Sequence, residues 1–149
     1  METGKMINRI SNRLRRRSRQ VQEAIGISGA QGNILDYILV ESRQRSVYQK
    51  EIEKEFGLRP STATEALKLL EEKGLICRIP EEKDGRYKRF VFTPKAEAVQ
   101  DALRREIEES EAILLQGIAP EEKELFLEIA GRMLRNLDER EDRHGKTGI

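Results

Sequence analysis

Residues 46–93 read SVYQKEIEKEFGLRPSTATEALKLLEEKGLICRIPEEKDGRYKRFVFT, and the order of signals in that stretch decides the fold. In its middle, Ala63, Ala66, Leu67 and Leu70 recur at the spacing that lines one face of a helix. Ser61, Thr64, Glu65 and Lys68 fall on the opposite face, which is small, polar and solvated. Pro60 suits the first helical position and Gly74 the stop. A shorter helix, roughly Gln49 to Phe56, precedes it, burying Ile52 and Phe56 and ending at Gly57, which permits a tight turn. The pair predicts a bihelical corner.

Beyond Gly74 the pattern becomes β-rich, with one run from Leu75 to Ile79 and a second from Phe90 to Thr93. Between them, Asp84-Gly85 signals a turn and Arg86, Lys88 and Arg89 put cations near the tip of the expected hairpin. A cationic tip suits phosphates or a narrow minor groove, although a solvated surface turn has the same composition. Beside a helical corner whose outer face carries hydrogen-bonding side chains, the arrangement fits duplex DNA. Large apolar groups on that face would leave polar groups unpaired on docking.

The run GLRPSTATEALKLLEEKGLI followed by DGRYKRFVFTPKA resembles the winged helix-turn-helix of the multiple antibiotic resistance regulator (MarR) family of bacterial and archaeal transcription factors. The resemblance extends over nearly the whole chain: an N-terminal helix, the winged unit, then two C-terminal helices. The family's wing carries an Asp-x-Arg element, matched by Asp84 and Arg86, and its recognition helix a Ser-Thr-x-Thr element, matched by Ser61, Thr62 and Thr64. These motifs are short; their order and spacing make the match specific. One departure is Glu65, where many members place Arg. Glu65 could accept from a cytosine amino group, or pair with Lys68 or Arg59, and pairing is the favoured expectation. The expected division of labour places Ser61, Thr62, Thr64 and Lys68 in the major groove. Arg86, Lys88 and Arg89 go to the backbone or minor groove, and Arg59 to a neighbouring phosphate.

At 149 residues, the chain is sized for one domain that buries about two-thirds of its unfolded surface. Charged residues make up 37% and aromatics 5%, a balance poor for a stacking platform of the single-strand-binding type. Net charge is only +1, yet it is unevenly spread. Lys5, Arg9, Arg13, Arg15, Arg16, Arg17 and Arg19 load the N-terminal segment, while acidic residues dominate 97–142. The arginine run could lie on an anionic membrane, but its apolar side lacks Trp, Phe or a broad leucine face, so DNA phosphates or a dimer layer are favoured. No apolar run approaches bilayer length, and the single cysteine argues against a disulfide framework, so the expected location is the cytoplasm.

Outside the winged unit, Ile7, Ile10, Leu14, Val21 and Ile25 trace a stripe interrupted by Arg17. Val99, Ala102, Leu103, Ile107 and Leu114 trace another, and Leu125, Phe126, Ile129, Met133 and Leu137 a third. Packing within the chain would use these faces. The resemblance implies instead that both chain ends interleave with a second copy in a two-fold dimer, matching a palindromic operator with half-sites about 34 Å apart. Another helix opens at Ser28, where Ser28 and Gln31 have capping-box spacing, and turns Ile34, Tyr37 and Ile38 inward. The family often keeps a small-molecule pocket where that helix meets the dimer layer. Ile10, Leu14, Tyr37, Ile38 and Tyr48 are candidate lining residues, and all five suit a plain core equally, which is the favoured expectation.

Other chemistries find little support. His144 is the only histidine and Cys77 the only thiol, so no metal-ligand spacing exists and no metal or cofactor is expected. Cys77, in the first wing strand beside Arg78, reads as structural. The carboxylates from Glu106 to Glu111 have no nucleophile or phosphate loop beside them, and the final HGKTGI lacks the glycine, strand and helix of a phosphate-binding loop.

The expected fold is mainly α with a small β-hairpin wing (α+β): a winged helix-turn-helix flanked by N- and C-terminal dimerisation helices. Residues 1–149 form one MarR-like domain, with 28–93 the DNA-binding part, 4–26 and 94–141 the dimerisation helices and 142–149 a flexible tail. The expected function is a homodimeric DNA-binding regulator and not an enzyme. Its repressor character and its relief by a small effector are implied by the resemblance. A winged-helix module that binds protein rather than DNA is the alternative.

Overall fold

The computed structural model describes residues 1–146. Its elements are α1 (Thr3–Ile25), α2 (Gly29–Glu41), α3 (Gln49–Phe56), α4 (Pro60–Glu72), β1 (Ile76–Pro80), β2 (Lys88–Phe92), a single 3-10 turn (Pro94–Ala96), α5 (Glu97–Leu114) and α6 (Pro120–Lys146). The chain falls into two compact units, Met1–Ser110 and the stretch from Glu111 onward, where one domain was expected. Beyond Ser110 the large apolar residues Ile113, Leu125, Phe126, Leu127, Leu134 and Leu137 are exposed, so among the described residues that stretch has no buried core of its own.

The core lies in the first unit, where Ile34, Leu35, Ile38 and Leu39 of α2 meet Ile52 of α3, Leu67 and Leu70 of α4, Ile76 and Phe90 of the hairpin, and Leu103 of α5. Helix α2 is central because Ile34, Leu35, Ile38 and Leu39 recur at helical spacing and bury a broad apolar face, while Val40 stays exposed. Its start is fixed as the sequence predicts: Ser28 Oγ accepts from the Gln31 amide at 3.2 Å, and Gln31 Oε1 from the Ser28 amide at 3.1 Å. Gly32 permits the close approach of α1, since a Cβ there would sit 2.2 Å from the side-chain carbon of buried Gln22.

The corner between α3 and α4 turns at Gly57, whose φ of 61° is open to glycine but strained for other residues. Pro60 takes the first position of α4, and Gly74, with φ 75°, follows its end. There Lys73 Nζ donates to the Gly26 carbonyl at 2.9 Å, joining the end of α4 to the residue that caps α1.

The wing pairs antiparallel, with Ile76 opposite Phe92, Arg78 opposite Phe90 and Pro80 opposite Lys88. On the outer edge of β2, the Phe90 amide donates to the Val47 carbonyl at 2.9 Å, so the segment before α3 helps hold the hairpin.

Several boundaries differ from expectation. β1 begins at Ile76 rather than Leu75, and β2 begins at Lys88 rather than Phe90, because pairing continues through the charged residues. Pro94 starts a 3-10 turn before α5. The final helix runs to Lys146, past the boundary expected at 141, so 142–146 is helical where a flexible tail was expected. Its sequence there has no proline to stop it. The rest of that expected tail, 147–149, lies outside the described residues.

Candidate nucleic-acid interface

Helix α4 divides as its periodicity predicts. Ala63, Leu67 and Leu70 are completely buried, while Ser61, Thr62, Thr64, Glu65 and Lys68 are exposed. The buried face holds the helix against the core; the open face is mostly polar, with Leu69 exposed beside Lys68. No side chain caps the start of α4 and its first turn has no acidic residue, so its partial positive end is not neutralised from within. Arg59 stands exposed at that end.

Glu65 departs from the favoured expectation: among the described residues it forms no ion pair with Lys68 or Arg59, and all three remain solvated. An exposed pair gains little in water against the entropy of fixing two long side chains. Thr64 also differs from a free hydroxyl reader. Its Oγ1 donates to the Pro60 carbonyl at 2.8 Å and accepts from Gln49 Nε2 at 2.8 Å.

At the wing, Asp84 organises the turn. Its Oδ1 accepts from the Arg86 amide at 3.1 Å, its carbonyl accepts from the Tyr87 amide at 3.1 Å, and its Oδ2 accepts from the Arg86 guanidinium at 2.8 Å. The guanidinium holds the Asp84 carboxyl below the usual carboxylate range, and the same pairing raises Arg86. Arg86 nevertheless keeps 87% of its side chain exposed. Asp84 therefore serves as a tether for Arg86 and the turn.

Lys88 and Arg89 were expected near the tip and lie instead in β2. Lys88 is exposed, but Arg89 is partly buried and lies 3.8 Å from Glu81, so much of its charge is answered within the hairpin. Arg86 and Lys88 share a cleft of about 810 Å³ with Tyr48, Gln49 and Lys50 at the start of α3. That cleft joins the wing to the foot of α3. None of the open-face residues of α4 lines it.

The five expected ligand-lining residues do not gather round one cavity described here. Ile10 is exposed and Leu14 half-buried on α1, and neither lines the 740 Å³ cleft formed by Arg13, Arg16, Arg17 and Arg105 with Glu106 and Glu109. Ile38 is fully buried in the core. Tyr37 packs edge-on to Phe56 with ring centres 5.7 Å apart, and its hydroxyl donates to Glu51 at 3.0 Å. Burial, foremost, raises the Tyr37 pKa. Tyr48 faces the wing, its hydroxyl donating to Glu81 at 2.9 Å.

Periodicity did not reveal two further residues here. Gln49 reaches Thr64 across the corner, a contact made only once the two helices fold together. Tyr87 is 58% exposed and lies edge-on to Tyr48, with ring centres 6.1 Å apart. An aromatic residue between Arg86 and Lys88 was its visible signal in the sequence. Cys77 is half-buried in β1 opposite Val91. His144 falls within the span of α6. Among the described residues no three His, Cys, Asp or Glu side chains gather to hold a metal ion, and no helix is long and apolar enough to cross a membrane.

A sequence model of the MarR family matches residues 25–86, the stretch from the end of α1 through the corner to the wing turn. Over that stretch the chain is similar to the MarR family. An uncharacterised HTH-type transcriptional regulator of Bacillus subtilis strain 168, YybA, is 32% identical over 92 residues, covering 62% of this chain and 61% of that relative. A MarR family transcriptional regulator from Silicibacter pomeroyi superposes with a TM-score of 0.69 at 28% identity, over 88% of this chain and 86% of that one. MepR of S. aureus in complex with DNA superposes with a TM-score of 0.69 at 25% identity, over 91% and 98%. The whole-chain likenesses match the mainly helical fold with a small hairpin wing.

Proposed function

We propose that this chain is a member of the MarR family that regulates transcription by binding double-stranded DNA as a homodimer in the cytoplasm. One observation carries the reading: α4 buries Ala63, Leu67 and Leu70 completely and leaves Ser61, Thr62, Thr64, Glu65 and Lys68 open. Exposed polar side chains on a helix at a bihelical corner suit the major groove, and the uncapped start beside Arg59 suits a phosphate. Arg86 and Lys88, on the wing, supply charge for the backbone or minor groove, with Arg89 contributing less because Glu81 answers it. The complex of MepR with DNA supports the same reading by likeness of fold.

The homodimer accounts for apolar residues left in water. Ile7 and Ile10 on α1 and Leu134 and Leu137 on α6 are exposed in the single chain, Leu137 by 66%. A second copy would cover such faces, and a two-fold protein would match a palindromic operator. Repression and its relief by a small molecule belong to the same proposal and rest on the likeness to that family. Ile10, Leu14, Tyr37, Ile38 and Tyr48 would reach such a molecule only with rearrangement, since no described cavity unites them.

The test is a salt titration of binding to duplexes selected from random sequence with the full chain. A regulator of this kind loses affinity as salt rises, log K falling by about 0.9 per phosphate contact for each tenfold step. A two-fold motif should emerge from the selected pool. Weak binding that is indifferent to salt would favour a winged-helix module directed at protein.

A further inference from the structure

We propose that Thr64 reads DNA through its γ-methyl group rather than its hydroxyl, with Gln49 as the positioning residue, so that the target carries a thymine facing Thr64. The inference rests on the DNA-binding reading above and adds to it a base and a chemical group.

A threonine hydroxyl has one proton to give and two lone pairs to offer. At Thr64 the proton goes to the Pro60 carbonyl, 2.8 Å away and one turn earlier in the same helix. One lone pair receives Gln49 Nε2, also at 2.8 Å. The orientation of the Gln49 amide is fixed independently, because its nitrogen also lies 3.2 Å from Glu53 Oε2 and 3.4 Å from the Pro60 carbonyl. Both of those groups only accept, so the nitrogen end must face them, and the same nitrogen then meets Thr64.

A β-branched side chain in a helix has few staggered positions, and the two hydrogen bonds select one of them. With the oxygen held toward its own helix and α3, the branch of exposed Thr64 that these bonds leave uncommitted is the methyl. Donating to a base would require the hydroxyl to give up its bond to Pro60. Ser61 and Thr62, one turn nearer the start of α4, are also exposed, and their hydroxyls have no protein partner among the described residues. They are the hydroxyls free to donate. In the major groove the one apolar group on a base edge is the 5-methyl of thymine, which a threonine methyl fits.

The experiment uses the full chain and a duplex selected from random sequence, with each thymine replaced in turn by deoxyuridine. The wild-type protein should lose about fourfold in affinity at one thymine position, the effect of one buried methyl group. Thr64→Val keeps the methyl and should keep that loss. Thr64→Ser keeps the hydroxyl and should bind the thymine and uracil duplexes alike. Gln49→Ala removes one of the two bonds that hold the hydroxyl and should shrink the difference, and adding Thr64→Val should restore it, since valine has no hydroxyl to misdirect. That rescue separates positioning from a general weakening of the corner. A Thr64→Ser protein that still discriminates, beside a Thr64→Val protein that does not, would overturn the proposal in favour of a reading hydroxyl. Uniform indifference to uracil would overturn it while leaving DNA binding intact. Failure to select any duplex would remove both.

Discussion

At the scale of single residues, the chain separates groups that hold the corner from groups that face outward. Arg86 is the clearest outward cation, tethered by Asp84 but still solvated. Arg86→Ala should weaken DNA binding roughly eightfold at 0.1 M salt, whatever the sequence of the duplex. It should also reduce the slope of log K against log salt by about 0.9, the loss of one phosphate contact. Fluorescence anisotropy over a salt series measures both. A second residue governs pH. Burial, and then the nearby Glu106 carboxylate, push the Asp36 carboxyl up to about 7 from an ordinary 3.8, and Asp36 Oδ1 has no hydrogen-bond partner among the described residues. Between those values the folded chain keeps a proton that the unfolded chain has released, so stability falls as pH rises through this window. Asp36→Asn should flatten the fall, adding on the order of 1–2 kcal/mol at pH 8 and almost nothing below pH 4, as read by urea unfolding. Neither the Asp36 environment nor the bond between Gln49 and Thr64 was legible in the sequence. Both depend on which helices meet, and local spacing carries no record of that.

At the scale of elements, much more could be read in advance. Helix α3 has the expected bounds, Gln49–Phe56, because Ile52 and the glycine stop are strong local signals. The capping box at Ser28 forms as its spacing implies. The start of β2 was missed because Lys88 and Arg89 look like turn residues, yet register with Pro80 and Ile79 draws them into the ladder, and Glu81 lies beside Arg89. The fate of Glu65 was missed for a related reason: helical spacing allows a pair with Lys68, but exposure removes the incentive to form it. The corner itself can be tested at Gly57. Gly57→Ala places a Cβ on a backbone with φ 61° and should cost about 1–2 kcal/mol, seen as a lower urea midpoint with an unchanged slope. No atom lies within 4 Å of the added Cβ, so the loss would come from the backbone alone.

At the scale of the whole molecule, the proposed homodimer makes a prediction about association. Leu134 and Leu137 are more than half exposed on α6. Replacing both by Glu should raise the dimer dissociation constant roughly a hundredfold or more, given the apolar burial each leucine would contribute. Sedimentation velocity would show a shift to monomer, and cooperative binding to a two-fold duplex should disappear with it. A variant that remains fully dimeric would place the interface elsewhere. That the apolar stripes exceeded the needs of one small core was visible in the sequence; which residues stay in water was not. Ile7 and Ile10 are exposed, while Val21 and Ile25 of the same stripe pack on the core, because only the later turns of α1 reach it. One link between these helices has a mechanical meaning. Lys73 clamps the trailing end of α4 to the carbonyl of Gly26, just where α1 finishes. A tilt of α1 would therefore tug directly on the far end of the helix proposed to meet DNA. The strut bypasses the apolar interior, so the pitch of α4 in a groove would follow how its supports are seated.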